Sequence, residues 1–181
     1  MDQIIKSNLV FSCPKFKVYE EVVKLNTQKI TKRWQIFYND SVVIIGITKK
    51  KEIVMINEYR ENIGEKILLL PGGGVKENED TQIAAIREFE EETGYYGKDI
   101  KLLTVMDVSN SKIKHKIYYY VIENITFVGQ KLETDEEISV ILFPMNELFI
   151  MAEEKSLKDE LDIEALLLFK SKFADFYNKQ Y

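Results

Sequence analysis

Short segments rich in Val, Ile and aromatic residues follow one another through the first third of the chain. Polar positions separate them, as at Asn39–Asp40 and at the three lysines 49–51. Runs of β-branched and aromatic residues bounded by polar breaks are typical of strands joined by turns. The pattern therefore predicts successive antiparallel strands over residues 17–25, 32–38, 41–48 and 52–59.

The pattern becomes helical between residues 80 and 93. Asp80 can cap the start by accepting hydrogen bonds from free N–H groups, and Gly94 can adopt the left-handed conformation at the end. Before this helix, an apolar run ends at Pro71 and three glycines, where the backbone can turn tightly or approach a ligand. The apolar positions at helical spacing are Ile83, Ala85, Ile86 and Phe89. We therefore expect a ligand-binding turn followed directly by a helix.

The rest of the chain returns to strand composition and then to helical periodicity. Strands are predicted at residues 102–108, 114–125 and 138–143, and helices at 145–154 and 158–179. The resulting order of strands, helix, strands and helices predicts an α+β fold.

The composition narrows the kinds of protein that the chain can be. Its 181 residues, 45% hydrophobic and 30% charged, predict one globular domain with an appendage. The net charge of −5 argues against an extended nucleic-acid surface, which needs clustered Lys and Arg. The single Cys13 cannot form an internal disulfide, and no segment is typical of a signal peptide or a membrane span. We therefore expect a cytoplasmic protein with neither a nucleic-acid nor a membrane partner.

Three glutamates of the predicted helix, Glu88, Glu91 and Glu92, are spaced by three and four residues. This spacing places their carboxylates on one face of a helix. Alone, such a stripe is most often a solvated surface. Here it follows the glycine-rich turn and lies beside Arg87, and this context favours a functional site.

From Gly73 onward, the chain reads glycine, five residues, Glu79, seven residues and then Arg87-Glu88-Phe89-Glu90-Glu91-Glu92-Thr93-Gly94-Tyr95. This resembles the Nudix box, GX5EX7REUXEEXGU with U a bulky apolar residue, at every defined position. The resemblance implies a Nudix α/β/α sandwich, in which a mixed central sheet carries the catalytic helix. It also implies a hydrolase that cuts a diphosphate linkage with Mg²⁺, for which Mn²⁺ can substitute.

Magnesium is a hard cation that takes oxygen ligands, and bound ions can polarise a diphosphate and lower the pKa of water. The resemblance makes Glu88 and Glu92 the principal metal ligands, with Glu91 assisting and the carbonyl of Gly72 as a backbone ligand. In the same resemblance Arg87 is a catalytic residue that holds the glutamates in position by ion pairing.

The similarity extends to residues 54–60 and 70–73, which are similar to segments of ADP-ribose and nucleoside-diphosphate-sugar pyrophosphatases. In this comparison Arg60 contacts substrate phosphate, and Gly73 belongs to the substrate-binding turn. The chain departs from those enzymes because no proline lies near Ser109. The predicted substrate is a nucleoside diphosphate sugar of the ADP-ribose type. Another conjugate such as a dinucleoside polyphosphate, or a ligand-sensing domain without turnover, stays open as an alternative.

The general base is assigned to an acidic run that precedes the strand predicted at Ile138. In similar enzymes a glutamate on a loop between late strands often takes this role, so Glu133 and Glu136 are the candidates. An acidic loop that is merely solvated is the alternative.

The first strands resemble the extra sheet with which this subfamily typically dimerises. Apolar strands left in water invite edge pairing, so we expect them to be buried against a partner. The prediction is an N-terminal arm at residues 1–48 that mediates a homodimer, and a Nudix domain at residues 49–181.

Overall fold

The computed structural model describes residues 2–61, 63–132 and 137–177, with the side chains of the last helix through Lys172. The strands are β1 (Gln3–Ser12), β2 (Phe16–Lys24), β3 (Ile30–Tyr38), β4 (Ser41–Ile47), β5 (Glu52–Arg60), β6 (Glu65–Leu69), β7 (Gly72–Gly74), β8 (Tyr95–Tyr96), β9 (Asp99–Asp107), β10 (Ile113–Lys114), β11 (Lys116–Glu123), β12 (Thr126–Phe127) and β13 (Ile138–Pro144). The helices are α1 (Thr81–Thr93), α2 (Met145–Glu153) and α3 (Glu160–Tyr177). Within these described ranges, no helix combines the length and apolar character needed to cross a membrane.

The first three strands and the short β10 form the smaller of the two large sheets. Its order is β1-β2-β3-β10, with β1, β2 and β3 antiparallel and the short β10 parallel to β3. The pattern predicted β2 and β3 but not β1, whose alternation is broken by two irregularities in its pairing with β2.

The larger sheet is mixed, with the order β13-β5-β4-β11-β9; β6 pairs with β5, and β7 pairs with β4. Strand β4 runs parallel to β11, whereas the other pairs are antiparallel. The expectation that β3 and β4 are antiparallel neighbours is wrong, because the two strands belong to different sheets. The sheets divide between Tyr38 and Ser41, ahead of the boundary predicted at residue 48, because β4 is buried on both faces and fits only inside a sandwich.

Helices cover both faces of the larger sheet. Adjacent residues of a strand point to opposite faces, so Ile44 of β4 packs in one core and Ile45 in the other. The first core contains α1 through Ala84, Ala85 and Phe89. The second contains α2 and α3, through Leu148, Leu166 and Phe169. These layers confirm the predicted α+β fold, an α/β/α sandwich with a mixed central sheet.

Gly46 of β4 allows α1 to lie close to the sheet. A Cβ atom at this position would come within 2.2 Å of the ring of Phe89, which is itself buried. The ring of Phe89 therefore packs directly on the backbone of β4 at Gly46, and this contact fixes the helix that carries the glutamates.

We expect Gly46→Ala to lower the free energy of unfolding by about 1–3 kcal/mol, because the added methyl group must displace a packed ring. Urea denaturation measures this loss. Gly74→Ala is the matched control, since a Cβ there has open space. Equal stability of the two variants would contradict the seating of α1 on Gly46.

Candidate active site

Helix α1 begins and ends at the residues that its sequence predicts. The side chain of Asp80 accepts hydrogen bonds from the N–H groups of Gln82 and Ile83. Gly94 ends the helix in the left-handed conformation, with φ of 70°, and its N–H donates to the carbonyl of Glu90. Both ends are thus set locally, and the glutamates keep the register that their spacing requires.

The glycine-rich turn lies directly against the glutamate face of α1. The N–H of Gly72 donates to Oε2 of Glu92 at 2.8 Å. A Cβ at Gly73 would lie 2.4 Å from the carboxyl carbon of Glu88, so this glycine leaves the space that the carboxylate occupies. Glu92 is buried, with 6% of its surface exposed. Two glutamate carboxylates and two backbone residues therefore form one compact group.

Arg87 links this group into a network. Its Nε and Nη2 each donate to one oxygen of Glu79 at 2.8 Å, a bidentate pair. Its Nη1 donates to Glu88 at 2.7 Å and to Glu91 at 3.1 Å, and Nη2 also donates to the carbonyl of Gly74 at 3.2 Å. The guanidinium makes these five contacts with five N–H groups fixed in one plane, whereas a lysine ammonium has only three N–H groups.

The carboxylates around Arg87 stabilise its charged form, and Arg87 in turn shifts the pKa values of those carboxylates. Hydrogen bonds from Arg87 lower the pKa of Glu79 to about 2. The pKa of Arg87 is raised above its ordinary value, chiefly by its hydrogen bonds with Glu79. Burial raises the pKa of Glu88, while the hydrogen bond from Arg87 opposes this effect. The arginine thus offsets much of the repulsion among neighbouring carboxylates.

The glutamates of α1 and the carbonyl groups of the glycine turn offer oxygen atoms as metal ligands. Such oxygens suit a hard divalent cation. The Glu88 carboxylate is half-buried and lies where Gly73 has no side chain, so a nearby cation would stabilise it. Across the described ranges, no three His, Cys, Asp or Glu side chains already stand close enough to hold a metal ion. Instead, Arg87 holds the carboxylates of Glu88 and Glu91, and the N–H of Gly72 holds that of Glu92.

The sequence model of the NUDIX domain matches residues 37–164, well over half of the chain. The chain belongs to the Nudix family. The matched region starts just before β4 and ends in the first turns of α3, so it contains the whole central sheet and the glutamate helix.

Two curated relatives match nearly the whole length of this Nudix protein. A methanol dehydrogenase activator from Bacillus methanolicus is 28% identical over 167 residues, covering 91% of this chain and 90% of the relative. An ADP-ribose pyrophosphatase from Bacillus subtilis is 24% identical over 160 residues, covering 87% and 86%. A solved structure of an ADP compounds hydrolase has a TM-score of 0.82 at 18% identity, covering 97% of this chain and 96% of that one. The structural likeness confirms the Nudix fold.

Arg60, the predicted phosphate contact, is the last residue of β5 and pairs with Glu65 at the start of β6. Its Nη2 forms an ion pair with Oε2 of Glu58 at 2.8 Å, and its side chain is about half exposed (48%). The structure therefore leaves Arg60 accessible but does not bring it into the Arg87 network.

The two candidates for the general base, Glu133 and Glu136, lie outside the described residues. Backbone hydrogen bonds hold the chain on either side of them. Lys131 donates through its N–H to the carbonyl of Glu91, and the carbonyl of Glu137 accepts from the N–H of Tyr59. Their role stays a prediction.

Two contacts to the site were not predicted from the sequence. The side chain of Gln130 donates to the carbonyl of Glu92 at 2.6 Å, and the Asp162 carboxylate accepts from the N–H of Leu70 at 2.7 Å. No local feature of the sequence indicates that Gln130 contacts the site. Asp162 does carry a signal, because it is an acid at helical spacing with the buried Ala165, Leu166 and Phe169.

We expect Gly73→Ala to leave the fold intact but to push the Glu88 carboxylate aside, since a flexible side chain can give way where a backbone cannot. Affinity for Mn²⁺ should fall roughly 10–100-fold, as for other changes that displace a metal ligand. Titration calorimetry with Mn²⁺ measures this change. Gly74→Ala, which adds a methyl group into open space, should bind Mn²⁺ like the wild type. Unchanged Mn²⁺ affinity in Gly73→Ala would show that the carboxylate of Glu88 is not needed there.

Proposed function

We propose that this Nudix protein hydrolyses the diphosphate bond of a nucleoside diphosphate sugar of the ADP-ribose type, giving a nucleoside monophosphate and a sugar phosphate. The observation that carries the proposal is the complete glutamate face of α1, held against the glycine turn by Arg87 and by the Gly72 N–H. The names of the relative from Bacillus subtilis and of the solved ADP compounds hydrolase support this choice of substrate.

In this proposal Glu88 and Glu92 hold a divalent ion, Mg²⁺ or Mn²⁺, with Glu91 assisting and the carbonyl of Gly72 as a backbone ligand. Such an ion offsets the charge of the diphosphate and makes water more acidic. The protein must keep several carboxylates together without it, although like charges repel. The bidentate pair of Arg87 with Glu79 solves this problem, because it directs the remaining N–H groups of the arginine toward the glutamates.

The remaining roles concern the substrate and water. We propose that the exposed Arg60 binds a phosphate of the substrate, since arginine matches phosphate geometry with two N–H groups. Gly73, against which the Glu88 carboxylate lies, belongs in this proposal to the turn that faces the diphosphate. Glu133 or Glu136 would accept a proton from the attacking water.

We also propose that the protein is a homodimer formed through the N-terminal sheet. Residues that pair across neighbouring strands share a face. The register therefore places Phe11, Ile30, Trp34 and Tyr38 on one face, and these side chains are between 39% and 66% exposed. The opposite face contains the buried Val23. A face with several exposed aromatic and aliphatic side chains is typical of a protein interface.

We expect Glu92→Gln to lose more than about 100-fold in turnover, because the amide keeps the shape of the side chain but removes the charge that holds the metal. ADP-ribose, other nucleotide conjugates and dinucleoside polyphosphates are incubated with Mg²⁺, and the products are separated by chromatography. Glu90→Gln is the control, since Glu90 lies on the same helix but pairs with Lys131. Near-normal turnover in Glu92→Gln would refute the metal assignment. If the wild type binds ADP-ribose but cleaves no conjugate, the ligand-sensing alternative replaces hydrolysis.

We expect wild-type protein at micromolar concentration to be a dimer by light scattering, and Phe11→Lys/Trp34→Lys to be a monomer, because two charges would be buried at the interface. Ile150→Lys is the control, since Ile150 is similarly exposed (51%) on α2. Deleting residues 1–48 is a poor test, because it removes β4 from the central sheet. A wild-type monomer would contradict the proposed interface.

A further inference from the structure

The segment Leu70–Pro71–Gly72 joins β6 to β7 and has only two backbone N–H groups, because proline has none. A carboxylate accepts from each of them. Oδ2 of Asp162 accepts from Leu70 at 2.7 Å, and Oε2 of Glu92 accepts from Gly72 at 2.8 Å. The two carboxylates come from helices α3 and α1, which lie on opposite faces of the central sheet. The turn that carries the glycines is therefore held from both sides.

Asp162 is well placed to act as a fixed anchor. It lies in the first turn of α3, where the side chain of Asp159 caps the helix by accepting from the N–H groups of Leu161 and Asp162. The partial positive charge of a helix N-terminus stabilises a carboxylate there. Only 4% of Asp162 is exposed. Its oxygen thus has little freedom to leave Leu70.

An acid at this position is costly for the fold itself. Burial raises the pKa of Asp162 to about 7, although the hydrogen bond from Leu70 opposes the shift. Its neighbours on the helix face, Ala165, Leu166 and Phe169, already attach α3 to the sheet through apolar contacts. An apolar residue would pack there without that cost, but it would leave the N–H of Leu70 buried without a partner.

We propose that Asp162 is a positioning residue of the active site. It holds the backbone at Leu70, so that Gly72 stays in hydrogen-bonding contact with Glu92 and Gly73 stays against Glu88. This proposal rests on the proposed hydrolysis, because its purpose is to keep the metal-binding group assembled. Asp162 itself contacts neither substrate nor metal.

The test compares Asp162→Ala, which removes the acceptor, with Asp162→Asn, whose amide oxygen can still accept from Leu70. Glu160→Ala is the control, since it removes an exposed acid from the same helical turn. Amide hydrogen exchange measures protection at Leu70 and Gly72, and calorimetry measures the affinity for Mn²⁺. In Asp162→Ala we expect exchange at both amides to rise about tenfold and Mn²⁺ affinity to fall about tenfold. Asp162→Asn and Glu160→Ala should stay within about threefold of the wild type.

Three outcomes would overturn the proposal. The first is a folded Asp162→Ala variant with normal exchange and normal Mn²⁺ affinity. The second is a folded Asp162→Asn variant that has lost protection at Leu70. The third is a Glu160→Ala variant that loses as much Mn²⁺ affinity as Asp162→Ala. If Asp162→Ala does not fold, Asp162→Asn decides, because retained protection and Mn²⁺ affinity support an acceptor role. If the wild type cleaves no conjugate, these measurements still test Asp162, and only the proposed hydrolysis fails.

Discussion

The ion-paired fork of Arg87 is the interaction on which the site depends. Glu88, Glu91 and Glu92 lie on one helix face, where their charges repel one another. Arg87 contacts two of these carboxylates, and Glu79 holds the guanidinium from the other side with two hydrogen bonds of 2.8 Å. Because the same guanidinium also reaches the carbonyl of Gly74, it ties the helix to the glycine turn. The acidic face is thus assembled by one cation before any metal binds.

The sandwich gives this network a rigid base. Strand β4 lies inside the central sheet, and its consecutive residues Ile44 and Ile45 face α1 on one side and the α2–α3 layer on the other. Gly46 brings Phe89 of α1 against the strand, while β7 pairs with the start of β4. The helix and the glycine turn are therefore both attached to the same strand. Their relative position follows from backbone pairing and close packing, which resist small displacements.

Sequence patterns predicted those features of the site that depend on residues close in the chain. The glutamate face, the Asp80 cap and the Gly94 end all follow from spacings within one helix, and the structure has each of them. The Nudix resemblance extended this to Arg87 and Glu79, which are eight residues apart and form an ion pair. The patterns failed at β1, whose alternation is irregular, and at the division between the sheets. A strand buried on both faces and a strand that is largely exposed can have similar composition, so composition alone could not separate β3 from β4.

The sequence by itself determined the fold class, the family and the helix that carries the glutamates, because helical periodicity, capping and motif spacing are local properties. The tertiary structure decided which strands are neighbours and which distant residues support the site. Strand β4 pairs in parallel with β11. Asp162 accepts from Leu70, 92 residues earlier in the chain. Such contacts depend on how separate elements pack across a sheet, and no local pattern encodes a hydrogen bond between a helix turn and a loop so far apart.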